Sequence, residues 1–446
     1  MRKFTEGQIM KQLFAITLFL TCIHPNLVAQ AQQHPEAGLP FIRNYSPKEY
    51  GAHPQNWTMA QDERGVMYFG NGLGVLEYDG VSWRLLQLPN KSSIRALALA
   101  ETGGRLYAGG IGEFGYFEPD RIGQMRYVSL LDFIPEAQRH FGDIWTAHST
   151  GEGVYFQARE RLFRLTENIP LNPPSKGDLK NSPESDSQNS PLEGGQGGVQ
   201  WRVKTWEPQT NFMFTFYLDA TLYVHQRGVG LMKMTADSLH LLPGSEPLGN
   251  DRMQVMLPFP DGKKYLLGLF SGKLLTFDGR TFAPFRVDAK VATILANQTL
   301  YKGTVLADGS FVLGTTQNGV AIIDAHGRLL RHLDRSSGLQ DNGVFSVLAD
   351  RATGQLWLGL DKGIARVEIT APLSHYEAQS GITSAVLAIA RHQGKLYIGT
   401  STGAVWLNPS TSMFQPVYGI GSQTFALLSI EKTLLAGTND GLYEIT

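Results

Sequence analysis

Few side chains in this chain are spaced for chemistry. Its eleven histidines are scattered over 446 residues, and none falls in an H-x-H or H-E-x-x-H pattern, so no zinc ligand set is legible. Gly268-Leu269-Phe270-Ser271-Gly272 has the composition of a nucleophile elbow, but its serine stands one place late and no strand-to-helix turn follows. Gly70-Asn71-Gly72-Leu73-Gly74 is glycine-rich without a following helix whose amides could hold a phosphate. Both read better as turns. The single cysteine, Cys22, lies close to the N-terminus, so the rest of the chain offers no thiol for a disulfide or a thiolate metal site. A formal net charge of -1 with no basic run argues against nucleic acid as a partner. We therefore expect no catalytic residue, no metal and no cofactor, and a chain that is not itself an enzyme.

What remains is recognition. Aromatic and polar residues stand just ahead of several short apolar runs: Asn56 and Trp57, Asp143 and Trp145, Asn211 and Phe212, Arg252, and Asn342. Trp57 and Trp145 have flat faces on which a sugar ring or another planar ligand can stack, although such aromatics also pack between sheets. These eight residues are the expected ligand-binding set, for a small molecule or an oligosaccharide.

The elements that must position them are repetitive. A hydrophobic stretch, a polar turn and an aromatic-aliphatic-Gly step recur in GVMYFGNGLGVLEYDG from Gly65, GRLYAGGIGEFGYFEPD from Gly104, GQLWLGLDKGIARV from Gly354, GKLYIGTSTGAVWL from Gly394 and KTLLAGTNDGLYEI from Lys432. Short strands repeated at this period are the signature of a β-propeller, in which each repeat is one four-stranded blade. Nine blade repeats can be counted, the fourth, around Thr221 to Val224, being the weakest. From the fifth onward the glycines at 268, 314, 359, 399 and 437 step by 46, 45, 40 and 38 residues. Glycine suits a place where another backbone approaches closely or a strand bulges. The aromatic two positions earlier (Tyr68, Tyr107, Trp357, Tyr397) is expected to fill the wedge between blades, and the Asp-Gly pairs at Asp79, Asp278 and Asp308 to make hairpin turns.

Two segments break the pattern. Residues 1–31 read as a secretory signal peptide: Arg2, Lys3 and Lys11 precede the apolar run Leu13 to Leu20, and Ala29 and Ala31 form an A-x-A step. The apolar run is short of the roughly 20 residues that span a bilayer. Residues 168–200, rich in Pro, Ser, Gly and Asn, bury too little apolar surface to offset ordering entropy and are expected to be a disordered insertion lengthening the gap between the third and fourth blades. Codons for Pro173 to Gly177 can, read on the opposite strand, encode the phrase Ser190 to Gly194, so an inverted DNA repeat is the expected origin; a gene sequence lacking that repeat refutes this.

The stretch FIRNYSPKEYGAHPQNWTMAQDERGVMYFGNGLGVLEYDGVSWR from Phe41, with YAGGIGEFGYF from Tyr107 and RSSGLQDNGVFSVLADRATGQLWLGLDKGIARV from Arg335, resembles the two-component regulator propeller family. The resemblance implies an extracytoplasmic sensor region of a bacterial receptor, usually two tandem seven-bladed propellers followed by a β-sandwich, a membrane helix and a cytoplasmic output domain. Against that layout the expected organisation is a signal peptide at 1–31, a first propeller at 41–370 interrupted by 168–200, and two further blades of an incomplete second propeller at 371–446. An interrupted gene product is the favoured explanation, over a fragment completed by a neighbouring gene or a nine-bladed ring. The expected function is a periplasmic, non-catalytic ligand-sensing or interaction propeller that lacks its output domain. Its expected partners are a small molecule or oligosaccharide and either the membrane-anchored remainder of a receptor or a second copy of the chain. The alternative is a secreted propeller enzyme or carbohydrate-binding protein acting on a polysaccharide. Phe41 to Tyr45 is a candidate for the extra strand that closes a ring.

Overall fold

The computed structural model describes Glu36 and residues 38–100, 104–168, 200–297, 299–350 and 352–445. The signal segment and nearly all of the insertion lie outside the described residues. The described residues divide into two compact units, one within residues 39–375 and one made of Glu36 and Gly38 with residues 376–445.

The larger unit is a seven-bladed β-propeller of four-stranded antiparallel sheets. Its innermost strands are Asn56–Gln61, Ala96–Leu99, Thr146–Thr150, Phe212–Leu218, Met253–Pro258, Leu300–Val305 and Val344–Ala349. Each neighbours the next around the axis, and the last returns to the first. Closure comes from the N-terminal strand Ile42–Tyr45, which pairs antiparallel with Gly363–Val367 and supplies the outermost strand of the seventh blade. Tyr45 ends that strand buried among Tyr78, Trp83 and Trp357, with ring centroids 5.5, 5.4 and 5.8 Å away. The strand that begins the ring is thus held by the blade that ends it.

Successive blades are joined by apolar cores. Tyr68 packs with Leu97, Leu106 and Phe117 between the first and second blades, and Tyr107 with Phe156 and Phe163 between the second and third. Trp357 packs with Tyr45, Phe69 and Leu76 across the closing junction. The second strand of a blade is therefore covered on both faces, which is why Met67–Asn71, Phe311–Thr315 and Leu356–Leu360 read as unbroken apolar runs rather than alternating ones.

The glycine of the repeat marks where the segment leading into the next blade crosses. A Cβ on Gly70 would lie 2.8 Å from the Ile94 carbonyl oxygen, and one on Gly359 would lie 2.7 Å from that of Asn56. Blades three and four lack the glycine and make the crossing with polar side chains. Gln157 donates through Nε2 to the Phe212 carbonyl at 3.3 Å, and His225 accepts the Met253 amide at Nδ1 at 3.4 Å. This substitution is why the fourth repeat reads weakly.

The insertion falls elsewhere than the composition suggested. Leu162–Asn168 and Gln200–Trp206 pair in continuous register, Leu162 with Trp206 through Asn168 with Gln200. Residues 169–199 thus connect two strands inside the third blade, not the third blade to the fourth.

The smaller unit holds two more blade sheets, the four strands Val386–His392, Lys395–Thr400, Gly403–Asn408 and Met413–Pro416, and the three strands Thr424–Ile430, Thr433–Thr438 and Gly441–Ile445. Tyr397 packs between them against Leu434, Ala436 and Ile445. Arg391 pairs with Glu36, whose backbone carbonyl also accepts from the Tyr376 hydroxyl. Among the described residues no helix is long and apolar enough to cross a membrane.

Candidate functional site

A recurring bulge builds the mouth of the central channel. In the first blade Asn56 pairs with Asn71 and Thr58 with Gly70, leaving Trp57 out of the ladder. The same shift leaves out Met213, Gln254, Tyr301 and Phe345 in blades four to seven. In blades two and three the ladder starts one residue later, at Ala96 and Thr146, and the preceding Arg95 and Trp145 take the corresponding place. A bulge re-aims the side chain it extrudes. The result is a collar with one residue from each blade: Trp57, Arg95, Trp145, Met213, Gln254, Tyr301 and Phe345.

The collar is a cation–aromatic network. The Arg95 guanidinium lies 4.1 Å from the Trp57 ring and 4.9 Å from the Trp145 ring, while its Nε donates to Asp143 Oδ1 at 2.7 Å. Trp57 stands 4.6 Å from Phe345, and Tyr301 meets Phe345 edge-on at 5.3 Å. Arg159, from the turn between the second and third strands of the third blade, lies 4.4 Å over Trp145 and donates to the Met213 carbonyl at 3.2 Å. Arg252 lies 3.6 Å over Phe270. Stacked guanidiniums of this kind keep their in-plane N–H groups available to a ligand. Burial pulls the Arg159 pKa down, and the nearby Arg252 charge lowers it further. The Tyr301 hydroxyl is pushed up by burial, opposed by the charges of Arg95, Arg159 and Arg252.

Below the collar a cavity of about 350 Å³ runs along the channel, within the size range of small-ligand sites. Lys302 and Gln254 line it together with His148. Burial lowers the Lys302 pKa to about 8, and Nζ lies 5.3 Å from the Phe214 ring. Burial holds His148 at about 4, with Lys302 adding to the depression, so the imidazole is neutral at pH 7. Its Nε2 is 2.9 Å from Thr215 Oγ1.

The structure brings some of the expected residues together and removes others. Trp57, Trp145, Asp143 and Arg252 stand at the mouth, Asp143 already held by Arg95. Asn211 is exposed on the rim, its carbonyl accepting from the Arg227 amide. Asn56 is fully buried; its Nδ2 donates to Gly363 O at 3.0 Å and its Oδ1 accepts from Asn71 at 2.9 Å, a network that ties the first blade to the seventh. Phe212 is fully buried with Tyr155, Leu162 and Val224 between the third and fourth blades. Asn342 caps the Arg335 amide at 2.8 Å. Asn56 and Phe212 are structural because the ladder pairs them with Asn71 and Gln226, and it is the residue beside such a paired position that turns into the channel; Asn342 lies ahead of the strand Val344–Ala349, outside the ladder. Arg95, Arg159, Gln254, Tyr301, Lys302 and Phe345 escaped the sequence reading. The available signal was register: the residue facing the repeat glycine follows the collar residue directly.

Among the described residues no cluster of His, Cys, Asp or Glu is placed to hold a metal ion. The site offers flat faces, guanidinium donors and one ammonium, a set suited to binding.

Fold and site together define a seven-bladed propeller with a channel-mouth collar. No protein-family model matches the chain, and no curated protein matches it in sequence. Among solved structures, the extracellular domain of the hybrid two-component system BT3049 from B. thetaiotaomicron superposes with a TM-score of 0.61 at 14% identity, over 91% of this chain and 53% of that domain. The extracellular domain of the BT4673 hybrid two-component system from the same organism gives 0.52 at 14% identity, over 91% and 52%. Virginiamycin B lyase from Staphylococcus aureus, solved with quinupristin, gives 0.50 at 10% identity, over 73% and 98%. At these identities the likeness is one of fold. The chain spans about half the length of the two extracellular domains.

Proposed function

We propose that this chain is the ligand-sensing or interaction propeller of an extracytoplasmic receptor, non-catalytic in itself, which binds a small molecule or oligosaccharide at the channel mouth. The observation that carries this reading is the collar, where seven blades each present one residue to a common opening and Arg95 bridges Trp57 and Trp145. The fold shared with extracellular domains of two-component systems supports the receptor setting. Binding there would shift the population of receptor states transmitted to a membrane-anchored remainder or a second copy of the chain.

The test is a thermal-shift screen of the exported chain against mono- and oligosaccharides and small organic acids. A ligand is expected to raise Tm in the wild type, with the shift lost in Trp57→Ala and Trp145→Ala. A ligand whose effect survives both substitutions places binding elsewhere. Consumption of that ligand on prolonged incubation would support the secreted-enzyme alternative instead.

A further inference from the structure

Resting on the collar as the route of a ligand, the geometry points to a particular chemistry beneath it. We propose that the channel is an anion site: it takes a small molecule bearing a carboxylate or phosphate, which passes Arg95, Arg159 and Arg252 and is neutralised by Lys302, with the Gln254 amide as its hydrogen-bond partner.

Lys302 is out of character for its position. The residues facing the repeat position in the other six blades are Thr58, Ala96, Thr146, Phe214, Val255 and Ser346, none of them charged. Among the described residues Lys302 has no ion pair; its ammonium lies 5.3 Å from the Phe214 ring. A partly buried ammonium without a counter-charge is costly, and a methionine of similar length would remove that cost.

Gln254 is a second, independent sign. It is 3% exposed, lines the same cavity, and neither its Oε1 nor its Nε2 has a hydrogen-bond partner. Buried amides are normally satisfied, so both ends of this one await a partner in the channel. The charge balance agrees. Arg95 and Lys302 line the cavity, and Arg159 and Arg252 stack on Trp145 and Phe270; Asp143 is already engaged by Arg95, and Glu160, which also acts on Arg159, is exposed. His148 and Tyr301, which also titrate here, are neutral at pH 7. An anion would give Lys302 its missing partner and Gln254 an acceptor for its Nε2.

Isothermal titration of the full exported chain with inorganic phosphate, sodium glucuronate and glucose tests this. Phosphate, glucuronate or both are expected to bind, the responding arm identifying the anionic group, with affinity falling at least about tenfold in Lys302→Met and recovering in Lys302→Arg. Pyridoxal 5′-phosphate followed by borohydride is expected to label Lys302 first, with phosphate or glucuronate protecting it. Equal anion affinity in Lys302→Met, or labelling confined to exposed lysines, overturns the proposal. Glucose binding that is lost in Trp57→Ala but unchanged in Lys302→Met overturns the anion site while leaving the collar reading intact. No heat with any of the three ligands counts against both.

Discussion

At the residue scale, Lys302 exchanges stability for a binding charge. Its folded pKa, about 8, lies below the ordinary lysine value of 10.5, so between those pH values the unfolded chain binds more protons than the folded one. Stability from this group therefore rises with pH across that window, and the penalty is fully present below about pH 8. Lys302→Met is expected to be more stable than the wild type in urea at pH 7, with the difference narrowing toward pH 10. A variant less stable than the wild type at pH 7 would show that Lys302 already has a partner. Trp57 and Trp145 were legible in the sequence because aromatics ahead of apolar strands are conspicuous. Lys302 and Gln254 were hidden, since a bulge decides which of two neighbouring residues faces the channel and a bulge leaves no mark in composition. Asn56 misled for the same reason: one place from Trp57, it is paired and buried.

At the scale of the blade, the glycine step was the most legible feature, and its physical basis is the crossing of the next blade's leading segment. Gly359→Ala would place a Cβ 2.1 Å from Ser346 Oγ and 2.7 Å from the Asn56 carbonyl, a backbone atom that cannot turn aside. It is expected to destabilise the ring by about 1–3 kcal/mol, the usual cost of overpacking. Gly437 holds the same place in the last sheet, but its nearest neighbour would be Ala426 Cβ at 3.6 Å. Gly437→Ala is expected to change stability by no more than about 0.5 kcal/mol. Urea denaturation of the two variants separates close approach from a general intolerance of side chains in these strands. The fourth repeat was hard to read because His225 performs the crossing with a hydrogen bond, as Gln157 does in the third, a solution that no glycine pattern detects.

At the scale of the whole molecule, ring closure was only half legible. Phe41 to Tyr45 stood out as a spare strand, but its partner lies more than three hundred residues away, Ile42 opposite Val367, and pairing over that distance is set by topology rather than by local pattern. Tyr45→Ala removes the aromatic that locks this closure and is expected to cost about 3–5 kcal/mol, seen as a lower urea midpoint.

The smaller unit presents the opposite situation. Its innermost strand Val386–His392 carries Val386, Leu387 and Ile389 exposed, whereas every residue of Met253–Gln254-Val255-Met256-Leu257 in the equivalent ring strand is buried. Leu428 and Leu442 in the three-stranded sheet are 55% and 70% exposed. Strands with blade-type sequences expect neighbours on both faces, and uncovered apolar strand surface drives association. The chain is expected to bind the dye ANS while folded and to self-associate with rising concentration in analytical ultracentrifugation. Ile389→Thr, Leu428→Thr and Leu442→Thr together should reduce both signals and leave the Tm of the ring unchanged, because none of the three belongs to a ring core. Dye binding and self-association that persist undiminished in the triple variant would show that these three side chains are not the apolar surface responsible.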